Sequence, residues 1–392
     1  MKNKKLRVII LLSTALVACQ PTSVKMNDTT KASPIEDNAS TEIESIRDIV
    51  QQNFSENVLI GATINHTFWD TPAEDILNLH FNYITPGNAF KQSYIHPKPG
   101  VWRWENSDAW IEKGIQNNQI IRIHGPISPQ VSTWAREDHR SKDEMATMLD
   151  EFLTGLILRY NGIKQVKWLD VVNETITEEG EWFGPKSGTD LWENPWTILG
   201  FEKDIPNKYP LLQQKGIPIY IIKSFEIATK YATEMKLMIN QHRMTSPESI
   251  ALMKELVLYL RDIGLRIDAI GWQAHIKSER EEFKDSNSDY LIRLDNLIKW
   301  SHQNNFEFHV TENNIHHDSD QPYDMEISRV YVNIINVLLD NRQSGVVGWN
   351  LWTIADQQHY SNPKIKLLGL WDENYQPQPA FYEFTKALRK AL

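Results

Sequence analysis

Two glutamates follow short apolar runs of strand character. Glu174 closes Trp168-Leu169-Asp170-Val171-Val172-Asn173, and Glu312 closes His309-Val310-Thr311. A single acid in such a place is ordinarily a solvated strand terminus. A pair is different when both strands belong to one barrel, because the C-terminal ends of parallel barrel strands converge on one open face. Two carboxylates facing each other there are the least equipment that cleaves a glycosidic bond.

The rest of the chain supplies the elements such a barrel needs. Strands are expected at Val58–Thr63, Phe81–Thr85, Ile120–His124, Val166–Asn173, Lys236–Asn240, Ala269–His275, Glu307–Thr311 and Gly345–Asn350. Amphipathic helical patterns fall between them, clearest at Lys142–Tyr160, Ser246–Ile263, Ser288–His302 and Met325–Leu339. Strands alternating with helices read as βαβ units with parallel pairing. Eight of them fit a single (β/α)8 TIM barrel over residues 45–392, with no second domain and no repeat. The connection after Glu174 is unusually long and carries Trp182, Trp192 and Trp196. Long connections in compact domains are commonly functional, so it is expected to wall a cleft.

Composition sets outer limits. Hydrophobic residues make up 41% of the 392, enough for a large core, and the 14 tryptophans exceed what packing needs, which suits aromatic platforms for sugar faces. The net charge of −10 and the lack of a basic patch argue against nucleic acid as a partner. Lys2, Lys4, Lys5 and Arg7 precede an apolar stretch from Val8 to Ala18 that is too short to span a bilayer. Residues 1–18 therefore read as a signal peptide. Leu16-Val17-Ala18-Cys19 resembles the lipobox of bacterial lipoproteins, which implies lipidation of Cys19, the one cysteine in the chain. With no second cysteine, an intramolecular disulfide is excluded. Residues 19–44 are polar and poor in large apolar side chains, as expected of a flexible tether. Gln20 after the cysteine resembles Gram-negative sorting to the outer membrane; the alternative is an ordinary signal peptide with an incidental cysteine, and a secreted protein. The folded body is expected to be a monomer.

From about Leu59 to Leu388 the chain resembles the family 10 glycoside hydrolases, most of which are endo-β-1,4-xylanases on (β/α)8 barrels. Trp168-Leu169-Asp170-Val171-Val172-Asn173-Glu174 resembles the acid/base segment and Thr311-Glu312 the nucleophile segment. Between and around them stand Phe81 to Lys91, Pro97-Lys98-Pro99-Gly100-Val101-Trp102 with Asp108, and Arg122-Ile123-His124. Ile270-Gly271-Trp272-Gln273-Ala274-His275, Trp352 with Asp356, and Asp372 to Ala380 complete the series in the family's order. The resemblance implies that Glu174 is the general acid/base, with Asn173 bonding the sugar 2-hydroxyl. It implies that Glu312 is the nucleophile, oriented by Gln273 and His275. Asn88, Lys91 and His124 would bind sugars on the non-reducing side, and Trp352 would stack on the ring at the cleavage point. Trp168 and Trp272 are left to packing.

The departures fall mostly on positions that choose the sugar. Where the family has Glu, this chain has Gly87, which removes a carboxylate that grips two xylose hydroxyls. Ser128 and Pro129 replace a Trp and a His, and Asn314 replaces an Asp two residues after the nucleophile. If Asn314 partners His275, a neutral amide biases that imidazole less towards its charged form. The fifth-strand segment becomes Asn240-Gln241-His242-Arg243, Tyr360 replaces a Trp, and residues 201–216 look like an insertion. A substituted or algal β-glycan is thus an expected alternative to plain xylan. No cofactor is expected, and no metal. The pair His316-His317 with Asp318 and Asp320 reads as a solvated loop, since adjacent side chains diverge. A rival reading, a glycan-binding lipoprotein on a catalytically dead barrel, explains the altered subsites but not the survival of both glutamates with Asn173, Gln273 and His275.

Overall fold

The computed structural model describes residues 44–391 apart from 55, 138–139, 185–193, 322–324 and 360. The leader, Cys19, Trp192, Tyr360 and, but for Glu44, the tether lie outside the described residues. Eight parallel strands close on themselves: β1 (Val58–Ile64), β2 (Tyr83–Pro86), β3 (Ile120–Ile123), β4 (Val166–Asn173), β5 (Lys236–Gln241), β6 (Ala269–Trp272), β7 (Glu307–Asp318) and β8 (Val347–Leu351). Each pairs with the next, and β8 returns to β1 with Val58 opposite Val347. This is the (β/α)8 barrel expected from the alternating pattern.

Helix starts carry their own signals. Ser45, Ser141, Ser246 and Ser288 each cap a helix by accepting a backbone N–H, and Ser141 with Glu144 forms a full capping box. The helix Lys142–Tyr160 has the expected bounds. The main core lies between strands and helices, and a small separate cluster of Tyr83, Trp168, Met238 and Ala269 fills the barrel's interior. Trp168 is a packing residue, as expected, and its indole N–H donates to Glu307 Oε2 at 2.9 Å. Trp272 is buried as well.

Two strands differ from the sequence reading in a way that matters for the site. β7 does not end at Glu312 but runs on to Asp318, pairing with His275–Lys277 and antiparallel with Ile365–Leu368. The apolar run stops where the barrel stops, but hydrogen bonding continues into a small sheet over its mouth. His316 and His317 therefore lie on a strand, not in a solvated loop. His317 is buried against Ser278 Oγ at 2.9 Å, while His316 faces the barrel mouth. Among the described residues no group of three or more His, Cys, Asp or Glu is arranged to hold a metal ion.

The long connection after β4 also differs from expectation. Trp196 is fully buried and its N–H donates to the Ser128 carbonyl at 3.0 Å; Trp182 donates to the Gly216 carbonyl at 2.7 Å. Neither lines the cleft. An indole buries a large apolar area and needs one acceptor, so both rings pin the loop to the body instead of facing substrate. The apparent insertion forms the short pairing Phe201–Glu202 with Ile217–Pro218 and a helix at Pro210–Lys215.

Candidate active site

The alternation of a strand predicts which residues face inward, and by that rule Asn173 and Glu312 have the wrong parity. On β4, Trp168 and Asp170 point into the barrel, yet so does Asn173. The register against β5 slips by one residue between Asp170 and Val172, which restores the phase. On β7, Glu307, His309 and Thr311 face inward, and a second slip against β8 between Val310 and Asn313 lets Glu312 follow them. Glu174 is presented differently again. It adopts φ 59°, a left-handed conformation that costs a residue with a Cβ about 1–3 kcal/mol, and its N–H is tied to the Asn240 carbonyl at 2.9 Å.

The two carboxylates are joined by a chain of amides. Gln273 Nε2 donates to Glu174 Oε1 at 2.9 Å and to Asn173 Oδ1 at 3.0 Å. Asn240 Nδ2 donates to the same Asn173 Oδ1 at 2.9 Å and to Glu312 Oε1 at 2.8 Å. Gln273 thus contacts Glu174 and not Glu312, a correction to the expected pairing. Its position at the end of β6 aims it across the barrel towards β4, and Asn240 from β5 takes the place beside Glu312. Asn240 had stood out in the sequence only as part of a departure. Gly271 makes room for it, because a Cβ there would lie 2.6 Å from Asn240 Oδ1.

The surroundings of the two acids differ sharply. His275 Nε2 lies 3.4 Å from Glu312 Oε2, and His124 Nδ1 lies 3.6 Å from Oε1. Beneath them Asp170 accepts from Arg122 Nη1 at 2.6 Å and from His124 Nδ1 at 2.9 Å, while Arg122 Nη2 donates to the Thr311 carbonyl. Asp170 is a second residue the sequence reading left without a role. Burial pushes the Glu312 carboxyl up, but His124, His275 and Arg122 outweigh it and hold the group down at about 2. For His275 burial acts downward, and the Glu312 carboxylate with Asn314 Oδ1, 2.8 Å from Nδ1, prevails and raises it. The expected partnership of Asn314 with His275 is thus present. With Nδ1–H given to the amide, only the imidazolium can turn an N–H on Nε2 towards Glu312.

Three buried polar atoms at this point have no protein partner: Glu174 Oε2, Asn173 Nδ2 and Gln273 Oε1. Glu174 and Gln273 line a cleft of about 790 Å³. Asn88, Lys91, His124, His275 and Trp352 line the same cleft; Asn173 does not, and it sits behind its floor. Lys91 is buried, bonded to Gln130, and its ammonium is pushed down by burial against the pull of Glu174 and Glu312. Trp352 stands edge-on to His124, with ring centroids 5.1 Å apart. The space left by Gly87 is taken: a Cβ there would meet Asn65 Oδ1 at 2.5 Å, the atom that accepts from Asn88 Nδ2 at 3.3 Å.

Comparison with known proteins bears on the fold and the family. The chain is 25% identical over 368 residues to the beta-1,4-xylanase of Dictyoglomus thermophilum, covering 88% of this chain and 91% of that one. It is 24% identical over 352 residues to endo-1,4-beta-xylanase B of Thermotoga neapolitana, covering 86% and 90%. Its fold matches the crystal structure of xylanase 10B from Thermotoga petrophila RKU-1 in complex with xylobiose, with a TM-score of 0.71 at 20% identity, over 88% of this chain and 97% of that one. The family model described as Glycosyl hydrolase family 10 matches residues 45–387, and the chain belongs to that family.

Proposed function

We propose that this chain is a retaining β-glycosidase that hydrolyses internal β-1,4 linkages of xylan or a related polysaccharide. The observation that carries this reading is the cluster of unpaired buried atoms between two unlike carboxylates. Each such atom costs about 1–3 kcal/mol unless a ligand satisfies it, and here a donor, an amide oxygen and a carboxylate oxygen are left without a protein partner. Glu312, held ionised by its cationic neighbours, attacks the anomeric carbon. Glu174 passes a proton from Oε2 to the departing oxygen, then takes one from the water that releases the sugar. Asn173, behind the cleft floor, accepts from the Gln273 and Asn240 amides that reach Glu174 and Glu312. The xylanase relatives support β-1,4 xylan as substrate, and the leader with Cys19 supports lipid attachment at the outer membrane.

The direct test is reducing-sugar release by residues 38–392 on xylans, mixed-linkage glucan, mannan and algal polysaccharides. Release from xylan supports the full reading, and release from another β-glycan alone moves the substrate. Binding with no release from any member of the panel overturns it in favour of a binding protein.

Asn314→Asp is expected to move the alkaline limb of kcat/KM upward by about one pH unit, because a carboxylate favours the imidazolium of His275. The sign follows from the raised pKa: the His275⁺–Glu312⁻ contact is intact below that value and lost as pH rises through it. A pH profile of each protein decides the matter, and an unmoved limb would remove His275 from control of Glu312.

The crowding at Gly87 makes a second prediction. Gly87→Ala should displace Asn65 and free the Asn88 amide, lowering kcat/KM by about 3- to 10-fold, the worth of one hydrogen bond. Asn65→Ala should cost the same, and the double variant no more than either. Additive losses in that cycle would show that the two positions act separately.

A further inference from the structure

Four histidines line one arc of the cleft: His242 after β5, His275 after β6, His316 on β7 and His359 in the loop after β8. Their rings follow one another at centroid distances of 5.4, 5.7 and 5.6 Å. All four are partly exposed to the cleft. Only His275 has a role in the mechanism above. Successive ring planes are inclined by 38°, 46° and 63°, so the row offers no flat face on which a sugar could stack. It offers ring edges.

We propose that this row is a subsite for an anionic group carried by the glycan, a uronate carboxylate or a sulfate ester, across the two carboxylates from Asn88 and Lys91. The inference rests on the glycosidase reading and names a feature of its substrate. An anion's oxygens only accept hydrogen bonds, and an imidazole always has at least one N–H to give. His359 Nδ1 accepts from the Ser361 N–H at 3.2 Å, which places the proton of its neutral ring on Nε2. Neither ring nitrogen of His316 bonds another described residue.

The charges around the row have the same sense. His316 feels His275, His359 and Lys277, all imidazole or cation, and Lys277 sits opposite it in the strand pairing. His242 feels Arg243 as well as His275 and His316, with the Glu312 carboxylate opposing them. Arg243 is itself paired with Glu178 at 3.2 Å. Near His359, Asp356 and Glu373 are both engaged by Lys366. Burial first, and then these neighbours, hold His242 and His316 down at about 3, so both rings are neutral at neutral pH. A bound anion reverses the neighbours' effect and draws protons onto the row. Binding therefore strengthens as pH falls and weakens as it rises. The cleft contrasts here with a chain whose net charge is −10.

The test measures binding to the Glu312→Gln protein by calorimetry at about pH 5.5 and 7.5, the range in which an imidazole protonated by contact with an anion gives up its proton. The probes are xylotetraose, xylotetraose bearing one glucuronic acid branch, and xylotetraose bearing one sulfate ester. One anionic probe should bind roughly tenfold tighter than the neutral one at the lower pH. That advantage should shrink at the higher pH and disappear in His316→Gln and in His359→Gln, with thermal melting verifying each variant's fold. Which anionic probe gains identifies the substituent. Equal binding of all three, no binding, or an advantage that survives both substitutions overturns the proposal. Hydrolysis of plain xylan by the unmodified protein is measured beside it. Hydrolysis without anion preference defeats the row alone, and anion preference without hydrolysis defeats the glycosidase reading alone.

Discussion

Glu312→Gln is expected to lower kcat by about a hundred-thousand-fold or more, the scale on which loss of a covalent nucleophile acts. The substitution keeps the size of the side chain and removes its charge. Asn240, His275, His124 and the buried Arg122–Asp170 pair stay in place around it, so the fold should survive. An amide oxygen is a far poorer nucleophile than a carboxylate, and among the described residues Glu174 is the one other carboxylate hydrogen-bonded into the amide chain. Two measurements check this. Reducing-sugar release should vanish, and a slow-turnover fluorosugar should add its mass to the unmodified protein and not to the variant. Residual turnover above about one per cent of the original, far more than this scale of loss allows, would remove Glu312 from the nucleophile's role. The same carboxylate carries a stability signature. Its pKa of about 2 lies below the ordinary value of about 4.3. The stabilisation is therefore present above about pH 4.3 and lost as pH falls through 2. Acid unfolding of Glu312→Gln should be less steep across that window.

Glu174→Ala should divide substrates by their leaving groups. On xylan, where the departing sugar oxygen must be protonated, a loss of about 100- to 10,000-fold is expected. An aryl glycoside with an acidic phenol needs no such help, so its first step should slow by less than about tenfold. The glycosyl intermediate then waits for a water with no base to activate it, giving a burst of phenol followed by a slow steady state. Azide, which needs no base, should restore turnover and appear in the product with retained configuration. An equal loss on both substrates would assign Glu174 a positioning role instead. The left-handed backbone at Glu174 adds a structural reading, since alanine inherits the strain without the Gln273 contact. A lower melting temperature is therefore expected, and the leaving-group comparison is what isolates chemistry from stability.

Much of this was legible without coordinates, and the reasons are local. Short strand-like runs marked all eight barrel strands, and amphipathic periodicity marked helices such as Lys142–Tyr160. The order of Asn88, Lys91, His124, Asn173, Glu174, Gln273, His275, Glu312 and Trp352 implied one shared site. Less legible were the partners. Gln273 was expected beside Glu312 and sits on Glu174, because side-chain reach across a barrel depends on strand tilt and register. Asn240 and Asp170 stand within the quoted segments, but nothing in the sequence marks which side chains they hold. Trp182 and Trp196 looked like cleft aromatics and proved to be anchors, because only the packed loop reveals which carbonyls their N–H groups find.

What the sequence by itself determined is the barrel, the pairing of two glutamates on its open face, and the family. The barrel follows from periodicity, and the pairing and the family from the resemblance of ordered motifs to the family 10 glycoside hydrolases, all of which the chain carries locally. What the tertiary structure alone decided is which way each residue points. Two single-residue register slips, on β4 and β7, turn Asn173 and Glu312 inward against the simple alternation. The extension of β7 past Glu312 brings His316 into line with histidines from three other segments. Both outcomes depend on how one strand's hydrogen bonds register against its neighbours. That is a relation between segments distant in sequence, and no single segment encodes it.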